Sequence, residues 1–330
     1  MANLSHLRRR ATLLRQIRSY FDEQGFLEVQ TPCLSSDSIA DRFIDPLMVV
    51  DAGLPGSIMR ATTPSIARPP MMLHTSPELA MKRLLSLGME AIYQIGPVFR
   101  RGDRGAFHNV EFTMLEWYRV GDTYESGMRF LSDFVEAVLG RGPAEERCFG
   151  QLFECETGID PHAAETGRLK RCASKRGLAY PESFPDVEGS TDPTDVEPWI
   201  DFLFAELIQP YLGGESPVLV RDYPVWQHQM ANIDGGVARR FELFVDGMEL
   251  ANGYDELNDP AELRRRNRAV NAMRTAAGRI PLPQEHFLKA MDECGLPPCC
   301  GCAFGVDRLL MILCGARTID EVIAFPIEEA

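Results

Sequence analysis

Residues Tyr93–Val120 read YQIGPVFRRGDRGAFHNVEFTMLEWYRV, two apolar runs separated by a short, charged loop that contains glycine. The pattern predicts a strand, a loop and a second strand. Strict alternation from Val110 divides the second run between two faces, with Phe112, Met114, Glu116 and Tyr118 on one and Thr113, Leu115 and Trp117 on the other. A ring, a carboxylate and a phenol therefore share one surface of the predicted sheet.

Glu116 is the unusual member of that surface. A carboxylate within a run of β-forming residues is costly to bury unless a cation meets it. One interpretation is therefore that Glu116 binds an ammonium group. The other is an exposed sheet face on which Glu116 forms an ordinary surface salt bridge. Alternation alone leaves both interpretations open.

A hairpin is predicted in Arg240–Leu257, RFELFVDGMELANGYDEL, because Asp246-Gly247 is a strong signal for a two-residue turn. The register that follows from this turn has two informative pairs: Phe244 opposite Glu249, and Glu242 opposite Ala251. The apolar residues of the hairpin then share the other face: Leu243, Val245, Met248 and Leu250. Simple alternation puts Asn252 on the opposite face from Glu249, so a bulge near Gly253 is needed if both are to face one site.

Glu242 and Glu249 become diagonal neighbours on one face of this hairpin, roughly 7–8 Å apart or less. Two carboxylates at that distance repel each other unless a cation lies between them. Magnesium suits such a pair, because it takes oxygen ligands and keeps waters and substrate phosphates in its shell. The alternative is two exposed glutamates on a solvated face.

A third informative stretch is Gly301–Arg308, GCAFGVDR, which precedes the apolar run Leu309–Leu313. Alternation places Gly301, Ala303 and Gly305 on one strand face, which leaves a flat surface that a ligand can approach closely. Arg308 follows at the point where the predicted strand becomes a helix.

Together these stretches resemble the class II aminoacyl-tRNA synthetases, in their lysyl version. Motif 2 of that family is similar to Phe99-Arg100, His108-Asn109, Glu111-Phe112 and Glu116-Trp117-Tyr118, and motif 3 is similar to Gly301–Arg308. The similarity is greatest to the lysyl-tRNA synthetase paralogues that attach β-lysine to elongation factor P. It extends over nearly the whole chain.

The N-terminal residues resemble motif 1 of the family. Residues 4–24 carry apolar side chains at helical spacing: Leu7, Ala11, Leu14, Ile17 and Phe21. Gly25 is placed to end this helix, and a predicted strand, Phe26–Val29, leads into Thr31-Pro32. Motif 1 builds the dimer interface in the family, so the resemblance implies a homodimer.

The resemblance implies an α+β fold with a class II synthetase-like catalytic core, in which helices flank a mainly antiparallel sheet. We expect one domain over residues 1–330, with a helical and loop insertion at about 140–216 and an acidic, proline-rich loop at Pro181–Pro198. Residues 51–72, rich in Gly, Pro and Ser, predict another loop. Because the chain begins directly with the motif 1 helix, no anticodon-binding domain is expected.

The resemblance also implies an ATP-dependent, AMP-forming ligase that uses Mg²⁺. The implied ATP-binding residues are Arg100, Arg101, Asp103, His108, Asn109, Phe112, Glu249, Leu250, Gly305 and Arg308. The implied amino-acid-binding residues are Ser76, Glu78, Glu116, Tyr118, Asn252, Glu256 and Ala303. The implied magnesium ligands are Glu242 and Glu249, and the implied catalytic residues are Arg100, Glu242, Glu249 and Arg308.

One further helix is predicted where Ser76-Pro77-Glu78 precedes Leu79, Leu84 and Leu85. Ser76 is a good N-cap and Pro77 suits the first helical turn. Glu78 in that turn could be no more than a carboxylate favoured by the helix dipole, although the family pattern points it at the amino acid.

The composition is that of a globular protein outside the membrane. Of the 330 residues, 45% are hydrophobic and 25% charged, which excludes bulk disorder, and no apolar run approaches the ~20 residues of a membrane span. We therefore expect a cytoplasmic protein. Nine cysteines in a chain of this length fit reduced thiols, with structural zinc at Cys299 and Cys302 as the weaker alternative. The run Arg264-Arg265-Arg266 predicts the solvated face of a helix rather than a docking site.

Two features depart from the pattern of the lysyl-tRNA synthetases. Arg100-Arg101-Gly102-Asp103 stands where relatives usually read Arg-Asn-Glu, so the glutamate expected to contact the adenine amino group is missing. Ala303 stands where those synthetases usually carry glycine, and the paralogues that modify elongation factor P resemble this chain in having alanine. One extra methyl group in a tight pocket discriminates between ligands by roughly 1–3 kcal/mol.

Three functional hypotheses follow. The first is a ligase that attaches β-lysine to elongation factor P, the second a free-standing core that lysylates tRNA, and the third a non-catalytic paralogue that binds lysine. The formal net charge of −14 and the missing anticodon domain argue against tRNA. The Mg-ATP carboxylates argue against the third hypothesis, because a pure binding module does not need them.

Overall fold

The computed structural model of the chain describes residues 3–49 and 70–330. Its strands are β1 (Leu27–Glu28), β2 (Leu34–Ser35), β3 (Leu47–Val49), β4 (Met71–Leu73), β5 (Ala91–Phe99), β6 (Glu111–Val120), β7 (Glu145–Cys148), β8 (Val218–Pro224), β9 (Ile233–Asp234), β10 (Val237–Val245), β11 (Met248–Asp255) and β12 (Cys299–Gly305). Its α-helices are α1 (Leu4–Glu23), α2 (Glu78–Ser86), α3 (Tyr124–Leu139), α4 (Phe149–Thr157), α5 (Thr166–Lys175), α6 (Pro193–Leu207), α7 (Pro260–Ala276), α8 (Glu285–Cys294) and α9 (Val306–Cys314).

A large sheet has the strand order β1-β5-β6-β12-β11-β10-β8-β7, and β9 pairs with β10 beside it. The pairs β1–β5 and β7–β8 are parallel, and the other pairs are antiparallel. Strands β2, β4 and β3 form a second, antiparallel sheet. The predicted α+β fold with a mainly antiparallel sheet is therefore confirmed.

The predicted strand, loop and strand of residues 93–120 are confirmed as β5, a loop and β6. Leu115 and Trp117 are buried in a core that α1, α3 and α9 build against one face of the sheet. Phe21 of α1 stacks on Tyr93 of β5 in this core, with ring centroids 4.8 Å apart. Alternation therefore sends Glu116 and Tyr118 to the opposite face.

Helix α1 begins and ends where the sequence predicts, and Gly25 follows it with φ 78°, a left-handed conformation that glycine adopts without strain. Ile17 and Phe21 are buried as expected, but Ala11 is exposed, and Leu13 joins the buried stripe. The stripe is displaced because α1 packs against both α3 and α9, and the positions of those helices are not readable from local spacing.

Two loop predictions need correction. Pro181–Pro198 is irregular only up to Asp192, because the Asp192 carboxylate accepts the Thr194 N–H at 2.8 Å and starts α6 with Pro193 in its first turn. The loop predicted at residues 51–72 lies outside the described residues except at its end, where Met71 and Met72 belong to β4.

Helices α4, α5 and α6 lie within the segment 140–216 and share a core with β8 and β10 that is separate from the core under α1. Trp199 of α6 is fully buried there, and its indole N–H donates to the Pro185 carbonyl at 2.8 Å. The status of this segment as an insertion, and the organisation of the chain as one domain, stay predictions.

The hairpin of β10 and β11 has the predicted turn but a different register. Asp246 and Gly247 have φ of 52° and 74°, as a two-residue hairpin turn requires, and Phe244 lies opposite Glu249. Glu242, however, pairs with Asn252 instead of Ala251, because the register shifts between Leu243 and Phe244. The bulge that accommodates the extra residue therefore lies at Leu250, not near Gly253.

The described residues contain no helix with the length and apolar character that a membrane crossing needs. The arginine run 264–266 lies on α7, where Arg265 is exposed. Arg266, however, is buried, and it donates to the Ala231 carbonyl at 2.7 Å, so the run is not uniformly solvated.

Asp307 connects the three segments that resemble motifs 1, 2 and 3 of the family. Its carboxylate is 2% exposed, pairs with the guanidinium of Arg10 on α1 and accepts the Thr113 N–H of β6 at 2.6 Å. Arg10 also donates to the Thr113 hydroxyl. A buried carboxylate thus ties α1, β6 and α9 together.

Replacing Asp307 with alanine is expected to lower the free energy of unfolding by about 3–5 kcal/mol, because it leaves a part-buried guanidinium and a strand N–H unpaired. Asp320→Ala is the matched control. Asp320 pairs with Arg104 at 2.9 Å, but both side chains are about one-third exposed, so its removal should change stability by about 1 kcal/mol or less. Urea denaturation measures both variants, and equal effects would contradict the assignment of the Asp307 contacts.

Candidate active site

The face of the sheet opposite the α1 core carries its polar side chains in rows that run across the strands. Directly paired residues form the first row: Glu116, Ala303, Asn252 and Glu242. A second row is formed by Tyr118, Gly301, Tyr254 and Arg240. Since neighbouring strands lie about 4.8 Å apart, each row spans roughly 14 Å, and Glu116 and Glu242 lie at opposite ends of one line.

Strand β12, which lies between β6 and β11, carries small residues on this face, so the surface is depressed along this strand. A Cβ on Gly301 would lie 2.2 Å from the Tyr118 ring and 2.5 Å from Glu256 Oε1, so these neighbours need glycine there. A Cβ on Gly305 would meet no atom closer than 3.7 Å, so the surface above Gly305 is open. The predicted flat surface is therefore a trough, filled by side chains at the Gly301 end and free at the Gly305 end.

A buried lysine lies at the filled end. The Lys82 side chain has no exposed surface, and its Nζ is 2.5 Å from Glu78 Oε1 and 2.5 Å from Glu256 Oε2. Lys82 was not identified from sequence. Its spacing of four residues from Glu78 is a helical ion-pair signal, but that signal does not indicate burial or a third partner.

Glu116 lies beside this ion cluster, is 1% exposed and forms no ion pair with any described residue. Its carboxylate accepts the Tyr118 hydroxyl at 2.6 Å and the Ser76 hydroxyl at 2.7 Å. Burial, with a contribution from Glu78, raises the pKa of Glu116 to about 7. Burial also raises the pKa of Glu256 to about 8. The surface salt bridge considered for Glu116 is therefore excluded.

The charges of this pocket do not balance. Glu78, Glu116 and Glu256 contribute three carboxylates, and Lys82 contributes one cation. When all are ionised, the pocket carries two uncompensated negative charges in surroundings that exclude water. Such a pocket favours a ligand with two ammonium groups.

The other end of the first row holds the predicted magnesium pair. Glu242 is buried, accepts the Tyr223 hydroxyl at 2.7 Å and pairs with Arg240. Burial raises the pKa of Glu242, Arg240 opposes the rise, and Glu249 adds to it. The solvated-face alternative is therefore wrong for Glu242, whereas the Glu249 side chain is 39% exposed.

The donor set at Glu242 and Glu249 fits magnesium but does not complete its shell. Among the described residues, no group of three or more His, Cys, Asp or Glu side chains is arranged to hold a metal ion. Two carboxylates leave several coordination positions to phosphate and water, which is how magnesium is usually bound with nucleotides.

The open end of the trough is bordered by two arginines. Arg308 lies in the first turn of α9, donates to the Glu249 carbonyl at 2.8 Å and lies 2.7 Å from His108 Nε2. Burial and the Arg308 charge lower the pKa of His108, so the neutral ring accepts this hydrogen bond. The Arg100 guanidinium lies over the Phe112 ring, 5.1 Å from its centroid. A flat ring and two cations at an open glycine surface are suited to a nucleotide.

Most of the residues that the resemblance implied line one cavity of about 770 Å³: Ser76, Glu78, Arg100, His108, Asn109, Phe112, Glu116, Tyr118, Glu242, Glu249, Leu250, Asn252, Glu256, Ala303, Gly305 and Arg308. Arg101 and Asp103 are not among the residues that line it, although Asp103 lies close enough to Arg100 and His108 to oppose the lowering of their pKa values. The Asn109 side chain donates to the Glu111 carbonyl at 2.8 Å and accepts the Ile327 N–H at 3.2 Å, so its polar atoms bind the protein itself.

Helix α2 places the first two of these residues by its capping. The structure puts the N-cap at Pro77, one residue after the predicted Ser76, but the Ser76 hydroxyl still accepts the Glu78 N–H at 3.0 Å. The same hydroxyl donates to Glu116, so Ser76 couples the start of α2 to the carboxylate on β6.

The cysteines of β12 are free thiols. Cys299, Cys300 and Cys302 are buried, and burial raises the pKa of Cys300 and Cys302 well above the usual value. Cys294 is exposed. The arrangement does not support structural zinc, which needs thiolates converging on one point.

Comparison with known proteins agrees with this geometry. The family model of class II tRNA synthetases (D, K and N) matches residues 2–329. The elongation factor P–(R)-β-lysine ligase of Vibrio cholerae serotype O1 is 39% identical over all of this chain and 97% of its own length. Proteins of the same name from Vibrio parahaemolyticus and Klebsiella pneumoniae subsp. pneumoniae are 38% and 36% identical, over 98% and 100% of this chain and 96% and 97% of their own lengths.

Replacing Glu116 with glutamine should alter the pH dependence of stability. The folded-state pKa of about 7 lies above the unfolded value of 4.5, so ionisation of Glu116 destabilises the fold progressively as pH rises from about 4.5 to 7. The variant lacks this loss and should gain on the order of 2 kcal/mol relative to wild type between pH 5 and pH 8. Urea denaturation at both pH values measures this gain. Glu23→Gln, at an exposed site, is the control, and an equal gain in that variant would refute the interpretation.

Proposed function

The chain belongs to the class II tRNA synthetase family (D, K and N), and we propose that it activates (R)-β-lysine with ATP and transfers it to a lysine ε-amine of elongation factor P. The relatives named above carry the name of that ligase. The observation that carries the proposal is the charge of the buried pocket, because its two uncompensated negative charges match the two ammonium groups of a diamino acid.

The amino acid occupies the filled end of the trough. Its side-chain ammonium meets Glu116 beside Tyr118, and its second ammonium lies toward Glu78, Asn252 and Glu256. The substrate ammonium takes the place of the proton that Glu116, with its pKa raised to about 7, holds in a large fraction of molecules when the pocket is empty. Ala303 lies between Glu116 and Asn252, so its methyl group narrows the floor of the pocket and favours one position of the second ammonium.

In the first step the substrate carboxylate attacks the α-phosphorus of ATP, and pyrophosphate leaves. This step needs no general base, because the carboxylate is ionised at neutral pH. The adenine lies on Phe112 near Gly305 and Arg308, and Arg100 stabilises charge that develops on the phosphate. Glu242 and Glu249 are the residues that would hold Mg²⁺, which neutralises phosphate charge when bound.

In the second step an amine of the acceptor protein attacks the carbonyl carbon of the adenylate, and AMP leaves.

We assign the reaction to the cytoplasm, where translation factors are modified. We also propose a homodimer, because motif 1 builds the dimer interface in the family and apolar side chains are exposed in and after this segment of the chain: Leu4, Leu27, Met48 and Val49. Apolar surface of that kind is typical of subunit interfaces.

Amino-acid-dependent ATP–pyrophosphate exchange tests the first step. We expect exchange with (R)-β-lysine to exceed exchange with α-lysine. Incubation with ATP, β-lysine and elongation factor P should then add one β-lysyl group to the protein by intact-mass spectrometry, whereas bulk tRNA should acquire no label. Exchange with neither amino acid would overturn the proposal, and labelling of tRNA in place of the protein would redirect it to the synthetase hypothesis.

Ala303→Gly is expected to relax the choice of amino acid. Removing the methyl group widens the floor between Glu116 and Asn252, so kcat/KM for α-lysine relative to (R)-β-lysine should rise by about 10-fold or more. Ala91→Gly, on the core face of β5, controls for loss of strand stability. An unchanged ratio in Ala303→Gly would show that the methyl group does not set the preference.

A further inference from the structure

The cavity continues beyond Glu242 toward helix α6. No chemical role was predicted from sequence for the segment that contains this helix. Glu197 and Asp201 of α6, Gln227 after β8, and Arg240 and Glu242 of β10 line this part, which we call the α6 chamber. None of the contacts proposed for ATP or the amino acid uses Asp201 or Gln227.

The α6 chamber offers hydrogen-bond acceptors. Gln227 Nε2 donates to Asp201 Oδ1 at 2.5 Å, which turns Gln227 Oε1 away from that contact. The Gln227 side chain is 6% exposed, and its Oε1 is buried with no hydrogen-bond partner in the described chain. Asp201 Oδ2 accepts no hydrogen bond from the described residues, so this carboxylate, held in place by Gln227, suits a ligand that only donates, such as an ammonium group.

Hydrogen bonds connect the α6 chamber to the reaction centre. The Gln227 carbonyl accepts from Arg240 at 3.3 Å, and Arg240 pairs with Glu242. Asp201 is therefore joined through Gln227 and Arg240 to Glu242, which the proposed first step places beside the ATP phosphates.

Access also distinguishes the two ends of the cavity. Glu116 and Glu256 are 1% exposed and Lys82 not at all, so the amino-acid end is closed by protein. Asp201 is exposed. A lysine on the surface of a folded acceptor protein can reach the adenylate only from an open side, and the α6 chamber is such a side.

The surrounding charges suit proton transfer at Asp201. Asp201 is open to the cavity, but the protein around it removes bulk water from the carboxyl group. This desolvation and the neighbouring charge of Glu197 raise its pKa to about 7, with Glu242 adding to the rise and Arg240 and Gln227 opposing it. Arg42 pairs with Glu197 at 2.9 Å and so limits the repulsion from that side. A carboxylate with this pKa is ionised in a large fraction of molecules at neutral pH and accepts a proton more readily than an ordinary one.

We propose that the α6 chamber is the binding site for the acceptor lysine, in which Asp201, held in place by Gln227, binds its ε-ammonium and takes its proton. This rests on the proposed ligase function. The ammonium gives one proton to Asp201, the freed lone pair forms a bond to the adenylate carbonyl carbon, and the bond from that carbon to the phosphate oxygen breaks. AMP leaves with those electrons, and the second proton of the nitrogen passes to its phosphate.

Asp201→Asn tests the assignment, because asparagine keeps the acceptor oxygen for Gln227 but loses the charge and the basicity. Enzyme carrying preformed β-lysyl-adenylate is mixed with excess elongation factor P at pH 7, and product is followed by intact mass. The transfer rate should fall about 100-fold. Glu206→Gln removes one charge from an exposed position of the same helix outside the cavity, and it should transfer at the wild-type rate.

Hydroxylamine separates this role from a structural one. It is a neutral amine at pH 7, needs no ammonium site and intercepts the same adenylate as a hydroxamate. We expect Asp201→Asn to form hydroxamate, and to catalyse ATP–pyrophosphate exchange, within about threefold of wild type. Equal losses of hydroxamate and protein product would overturn the assignment, as would undiminished transfer to the protein. Absence of exchange in the wild-type enzyme would instead refute the proposed function itself.

Discussion

Lys82 has no exposed side-chain surface, and the pocket depends on how its charge is held. A buried ammonium group is tolerated only when oppositely charged partners surround it, and Glu78 of α2 and Glu256 beyond β11 supply them. This ion cluster packs α2 against the polar face of the sheet and closes one end of the cavity. Because Lys82 pairs with Glu78 and Glu256, Glu116 has no cationic partner among the described residues. The same cluster that stabilises the pocket therefore leaves Glu116 available to bind a positively charged substrate.

The alternation of side chains along the strands gives the two faces of the sheet different environments. One face is apolar and carries α1, α3 and α9, and the middle of the other face presents polar side chains in rows. Because a slip of one residue would exchange the two faces of a strand, the register must be held firmly. The bulge at Leu250 brings Asn252 into line with Glu242, and Asp307 ties β6 to α9 and α1.

Catalysis in this arrangement is divided among three regions of one cavity. The amino-acid end is closed and anionic, the nucleotide end has an open glycine surface between arginines, and the α6 chamber opens beside Glu242. The three regions lie on strands and helices far apart in sequence but adjacent across the sheet. Most binding groups stand on regular elements of the sheet and its flanking helices, so their positions are set before the substrates arrive.

Local periodicity and turn chemistry were sufficient for what lies within one segment: the strands of residues 93–120, the faces of Glu116 and Leu115, and the turn at Asp246-Gly247. The resemblance to a family extended this to the fold and to most cavity residues. Only the tertiary structure decided the register at Glu242, the buried pairing of Lys82, and the role open to Asp201. Each of these depends on partners from separate elements, and the spacing of residues along a chain carries no information about which distant side chains will share a buried site.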